Sequence, residues 1–167
     1  MIVLQHIIRS AIEPALALLP PKMTSAEAVV MLLAIGLQES RFKYRYQIVH
    51  GNPYQKGPAR SYWQMERGGG VVGVMTHHAT NEYAHMLCGT CCVPFDSVLV
   101  HDRIETDDVL AAGFARLLLW ADRRPLPALD ASHEEAWDCY IRNWRPGKPH
   151  RGTWNEFHAQ ALGQVIA

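Results

Sequence analysis

The sequence predicts a mainly α domain of α+β type, with a central buried helix followed by a small irregular or β-hairpin lobe at about 41–70. Three observations predict it. Ala28 to Leu37 reads AVVMLLAIGL and carries no polar side chain, so a helix through it is buried on all sides rather than amphipathic. Helix-start signatures recur at Thr24-x-x-Glu27, Ser132-x-x-Glu135 and Thr153-x-x-Glu156, each with the spacing of a capping box. Residues 41–70, RFKYRYQIVHGNPYQKGPARSYWQMERGGG, are rich in Gly, Pro, Tyr and Arg and show no helical period. An irregular stretch of that length inside a compact domain is usually functional.

The elements follow in order. A first helix is expected over 2–19, with Pro14 as a kink or early stop and Pro20-Pro21 as its end. The first capping box opens the buried helix, from about 25 to 39. One or two shorter helices fit between 71 and 92. Thr106 is expected to cap a helix over 107–122. Asp107 and Asp108 stand in its first turn and Arg123 and Arg124 at its end, as the helix dipole favours. The second box opens a helix to about Asn143, and the third opens the last one, to about Val165.

The chain has 167 residues, a length that suits one domain spanning 1–167. It is large enough to bury a core without covalent staples. Sixteen basic residues balance sixteen acidic ones, which argues against a nucleic-acid partner. No apolar run reaches the roughly 18 residues that a membrane span needs. The N-terminal stretch is apolar but lacks the basic start of a signal peptide. A reducing cytoplasm is therefore the expected place of synthesis, and action outside it would need delivery by something else. Cys88-x-x-Cys91 has the spacing of half a zinc site, but the second half is missing. Cys88, Cys91, Cys92 and Cys139 are expected to be small buried side chains, and no metal or cofactor is called for.

Glu39 follows the apolar run directly. At a helix C-terminus the macrodipole presents about half a negative charge. That end of a helix and partial burial both raise a carboxyl pKa. A general acid needs a proton near neutrality. Arg41, Lys43 and Arg45 come next and would cancel the effect if one of them paired with Glu39. Further on, GPARSYWQMERGGG places aromatics, an amide and a carboxylate in a Gly-rich segment. Flat rings and bidentate polar groups suit a sugar, with its apolar faces and many hydroxyls.

Glu39-Ser40, followed by Gly57-x-x-Arg60-x-x-x-Gln64-Met65, resembles the goose-type lysozyme and soluble lytic transglycosylase superfamily. The block ending WQMERGGGVVGV looks most like the lysozyme-like enzymes encoded by bacteriophages. The family's stretch reads Gly-Leu-Met-Gln where this chain has Ser-Tyr-Trp-Gln-Met. The resemblance implies that Glu39 is the acid protonating the glycosidic oxygen between N-acetylmuramic acid and N-acetylglucosamine. It implies that Ser40 positions the acid or the sugar, and that Gln64 lines the groove with Arg60, Tyr62 and Trp63. Glu66 stands where goose-type members carry a second carboxylate. Tyr140-Ile-Arg-Asn143 is similar to the family's segment whose tyrosine faces the acid, with two extra residues before Asn143. An inverting hydrolase needs its two carboxylates roughly 6.5–9.5 Å apart. If Glu66 points away, the lytic route is favoured, in which the muramic 6-hydroxyl attacks and leaves a 1,6-anhydro sugar.

The remaining features have plainer readings. His77, His78 and His85 lack acidic partners at metal-ligand spacing. The acidic residues of 102–108 are a helix start, not a calcium loop. Lys148, His150 and Arg151 are a solvated basic loop. Trp137 and Trp154 are core anchors, whereas Trp63 and Trp144 are the candidate sugar platforms. The expected function is cleavage of the peptidoglycan glycan strand, by a phage-encoded protein delivered in a virion alongside phage structural proteins or released by a holin. Zero net charge favours the virion. The competing expectation is a lysozyme-like structural or assembly protein that has lost activity. An unrelated helical interaction module is a third.

Overall fold

A computed structural model describes residues 2–166. The chain is mainly helical with a small three-stranded antiparallel sheet. The helices are α1 (Ile2–Ile7), α2 (Glu13–Ala17), α3 (Ala26–Ser40), α4 (Val72–Thr76), α5 (Asn81–Thr90), α6 (Ser97–Arg103), α7 (Asp108–Ala121), α8 (His133–Trp144) and α9 (Arg151–Val165). The strands are β1 (Tyr46–Val49), β2 (Asn52–Arg60) and β3 (Met65–Glu66). Among the described residues no helix is long and apolar enough to cross a membrane.

Helix α3 is the central element. Met31 to Ile35 are at most 1% exposed. Its most extensive neighbour is α9, and α7, α8 and the first helical stretch pack on its other sides. An all-apolar run makes this possible, because every face of the helix finds an apolar partner. The other buried side chains, from Leu4 to Ala161, join it in one apolar cluster.

Three expected helix starts move by one to a few residues. At α3 the cap is Ser25, whose hydroxyl accepts from Ala28 N–H at 3.1 Å. Thr24 Oγ1 points back to the Leu16 carbonyl. At α7 the cap is Asp107, which accepts from Leu110 N–H at 2.9 Å, and Thr106 lies one residue outside. Helix α9 starts at Arg151, so Thr153 falls inside its first turn, with its hydroxyl donating to Gln38 and to the His150 carbonyl. In each case a neighbouring group satisfies the free amides or the threonine hydroxyl better than the predicted box does. The Ser132–Glu135 box forms as expected. Pro14 does not break the first helix. A π-helical segment over Ile8–Ile12, in which Glu13 N–H bonds the Ile8 carbonyl, separates α1 from α2 and places Pro14 in the first turn of α2. A proline there removes no needed donor. Helix α6 falls in a stretch for which no helix was expected.

The lobe is a β1–β2 hairpin with β3 added along β2. Val49 faces Asn52 across His50 and Gly51, both at positive φ, as a two-residue I′ turn requires. Arg45 holds the base of the lobe to α7 through a two-pronged ion pair with Asp108. Lys56 and Arg60 both pair with Glu105, and His101 bonds the Pro58 carbonyl at 2.9 Å. The lobe is thus pinned to the helical body at several points.

Candidate active site

Glu39 lies in the last turn of α3, and the chain leaves the helix abruptly after it. Arg41 and Phe42 are both left-handed, at φ 54° and 53°, a conformation that non-glycine residues rarely adopt. Two contacts hold it. Ser40 Oγ accepts from Phe42 N–H at 3.1 Å. The Phe42 ring lies on Gly36, where an added Cβ would stand 2.2 Å from the ring.

Three segments meet here. Ser40 Oγ donates to the Tyr62 carbonyl at 2.7 Å. Tyr140 Oη donates to Glu39 Oε1 at 2.6 Å. Trp144 Nε1 donates to the Trp63 carbonyl at 2.8 Å. The end of α3, the segment before β3 and one face of α8 are therefore tied together through the residues that sequence reading singled out. Tyr140 is held in turn by ring stacking on Trp154, with centroids 5.0 Å apart and planes 13° off parallel.

Burial pushes the Glu39 carboxyl up to about 7, against the opposing pull of the Tyr140 hydroxyl. Burial and the neighbouring Glu39 push the Tyr140 phenol up as well, so it stays a donor. The basic residues that follow do not cancel the effect. Arg45 is committed to Asp108, and Arg41 lies over the Phe157 ring at 5.8 Å. Among the described residues no cation forms an ion pair with Glu39. Its second oxygen accepts no hydrogen bond there and is not sealed from solvent. Such a carboxyl, half-protonated near neutrality with one oxygen open, can deliver a proton.

Several expected roles are corrected. Trp63 is no sugar platform: it is 0% exposed, and its indole donates to the Leu32 carbonyl at 2.8 Å. Tyr62 is 8% exposed and packs under Arg45 and against Phe42. Ser40 is buried, and backbone groups engage its hydroxyl. Arg60 braces the hairpin through Glu105 and through its own strand's carbonyls. The Asn143 amide is engaged elsewhere, donating to Asp122 and to the Cys139 carbonyl. Gln64 is half-buried at φ 48° and donates to the Ser61 carbonyl at 2.7 Å. Glu66 is exposed on β3, with Met65 taking the inward position, and no hydrogen bond joins Glu66 to Glu39. Cys92 is exposed, unlike the buried Cys88 and Cys139. Arg151 is no free loop cation: it pairs with Glu134 and lies over Trp137.

Sequence reading missed two supports. Trp154 orients Tyr140, and Gln38, next to the acid, ties α3 to the start of α9 through the His150 carbonyl and Thr153. Nothing in the spacing announces either, because both partners lie more than a hundred residues or a whole helix away. Among the described residues no three His, Cys, Asp or Glu side chains cluster as metal ligands would. No protein-family model, curated protein or solved structure matches the chain.

Proposed function

We propose that this protein cleaves the β-1,4 bond between N-acetylmuramic acid and N-acetylglucosamine in peptidoglycan, with Glu39 as general acid. The observation that carries the reading is the state of Glu39: burial holds it near pKa 7, Tyr140 fixes one oxygen, and the other stays open. The resemblance of Glu39-Ser40 and of the 57–65 block to lysozymes and lytic transglycosylases supplies the substrate.

The reading takes the lytic route, which needs no second carboxylate beside Glu39. Glu39 donates its proton to the glycosidic oxygen as the bond to the muramic C1 breaks. The muramic 6-hydroxyl oxygen then bonds to C1, and its proton returns to Glu39. No water is consumed, and the product is a 1,6-anhydro sugar. Delivery as part of a phage particle belongs to the same proposal and rests on the phage-like block and the zero net charge.

One observation favours a second reading, a lysozyme-like structural or assembly protein without turnover. Tyr62 and Trp63, which would flank a sugar, are used up in the core. Clearing of purified peptidoglycan by wild type and by Glu39→Gln separates the two. Loss of clearing in the variant supports the enzyme. Equal clearing by both, or none by either, removes the claim. Product masses then decide the route, since a reducing end carrying the full mass of water excludes anhydro formation.

A further inference from the structure

At the opposite end of α3 from Glu39, about 20 Å away at 1.5 Å per helical residue, lies a groove of about 630 Å³. It runs between the start of α3, the end of α7 and the segment 122–128. Arg116 is set into it from α7 and is 3% exposed. Its Nε donates to the Met23 carbonyl at 2.8 Å. Its Nη1 is sealed from solvent and has no hydrogen-bond partner, alone among the buried side-chain nitrogens and oxygens of the described residues. Leaving such a donor unpaired is unfavourable, and more so when it is charged. Nε and the Trp120 contact account for part of the guanidinium, and an acceptor supplied by a ligand would account for the orphaned Nη1.

The lining says what kind of acceptor. Lys22, Arg123 and Arg124 add positive charge, against Glu27 and Asp122. Asp122 is already held by Arg142 and Asn143. The balance suits an anion, and Glu27 disfavours a highly charged one. The walls also carry apolar side chains, Trp120 and Leu126 among them. Trp120 lies between two cations, with Arg116 at 5.2 Å and Lys22 at 5.4 Å from its ring. The geometry points to a binding site for a carboxylate on a compact apolar body, anchored by the Arg116 guanidinium and walled by Trp120 and Leu126. A planar guanidinium matches a carboxylate better than a point charge would. Nη1 is sealed in this structure, so an occupant engages it only as the wall shifts, and Trp120, whose ring lies 5.2 Å from the guanidinium carbon, is placed to report that shift. The site shares no residue with the Glu39 cluster, so it stands or falls independently of glycan cleavage.

The test is a titration of the full chain, followed at the Trp120 indole N–H by NMR. The probes are N-acetyl-alanyl-alanine, the same dipeptide as its C-terminal amide, hexanoate and inorganic phosphate. The expected result is a saturable Trp120 shift with the free acid, weaker by about tenfold or more with the amide, as loss of a charge-assisted bond implies. Arg116→Lys should weaken acid binding while keeping the charge. Arg124→Glu, an exposed change that leaves the core alone, should weaken it too, so the test survives a misfolded Arg116 variant. A preference for dipeptide over hexanoate assigns the carboxylate to a peptide end, and the reverse assigns it to an alkyl acid. No saturable shift, equal binding of acid and amide, tighter binding of phosphate, or indifference to Arg124→Glu overturns the proposal.

Discussion

Glu39 stands at one end of the buried helix α3, and Arg116, carried by α7, bonds the Met23 carbonyl just ahead of its other end; burial acts on both in the same way, against charge. The outcomes differ because the starting points differ. The carboxyl begins at 4.5 and rises to about 7, so its charge is switchable in ordinary buffer. The guanidinium begins far higher, and burial lowers it only to about 10, so it stays a cation there. Each also has a different neighbour. Tyr140 is a neutral donor that serves the carboxylate without fixing it. The Met23 carbonyl occupies one edge of Arg116 and leaves Nη1 empty. Burial thus makes a proton donor of a carboxyl at the end of α3 and an unfilled anion seat of a guanidinium set into α7.

The comparison breaks first if the aromatic block beside Glu39 is a ligand surface and not a core. Trp63→Ala should cost about 3–5 kcal/mol of stability, as loss of a buried aromatic does, read as a fall in the denaturation midpoint. A variant of unchanged stability would return Trp63 to the role of sugar platform.

The next effect concerns Glu39 itself. A carboxyl whose folded pKa is raised contributes stability that is full below 4.5 and is lost as pH rises through about 7. That loss is about 2–3 kcal/mol. Wild type should therefore lose stability relative to Glu39→Gln between pH 5 and pH 8, because the opposite drift from buried His158, held down to about 4, is common to both proteins. Arg116→Met supplies the contrast. Its stability difference from wild type should not change between pH 5 and pH 8, because Arg116 titrates above that window. Denaturant melts of the three proteins at both pH values measure all of this. A slope common to wild type and Glu39→Gln would place the titrating group elsewhere.

Tyr140→Phe should act more gently. Its hydroxyl favours the ionised carboxylate, so removal should push Glu39 higher, by about one unit for one charge-assisted bond. On the proposed mechanism the alkaline limb of the pH–activity profile moves up accordingly. A limb that stays in place, or moves down, would mean that Tyr140 does not tune the acid. The smallest effect is expected at Glu66. On the lytic route, Glu66→Gln should change clearing by less than about twofold, far below the 10²–10⁴ typical of a general acid or base.

Much of the fold was legible, and the reasons are local. Ten consecutive apolar residues leave α3 nowhere to go but inside. The Ser132–Glu135 box needs only its own four residues, and it forms as written. Residues 41–70 lack a helical period and do carry the hairpin. At the misplaced starts of α3 and α7 a threonine loses the free amides to its neighbour, Ser25 or Asp107, whereas α9 starts at Arg151 with no side-chain cap and takes Thr153 into its first turn. Local spacing does not rank such competitors. At the site, burial of Glu39 could be read from the run before it. The fate of Tyr62 and Trp63 could not, because an aromatic in a Gly-rich stretch serves a groove or a core equally well. What decides is the Leu32 carbonyl, thirty-one residues upstream. Asn143 failed for a similar reason. Its partner Asp122 ends a different helix, and no spacing within α8 points to it.

The Phe42 ring seated on Gly36 sets a fixed chain length. Five residues separate the notch from its key, and the chain reverses between them through two left-handed residues, Arg41 and Phe42. Adding or deleting one residue in that interval would unseat the key and swing the acid away from its tyrosine. The exposed tip around His50 and Gly51 has no such gauge and should accept grafted loops of almost any length.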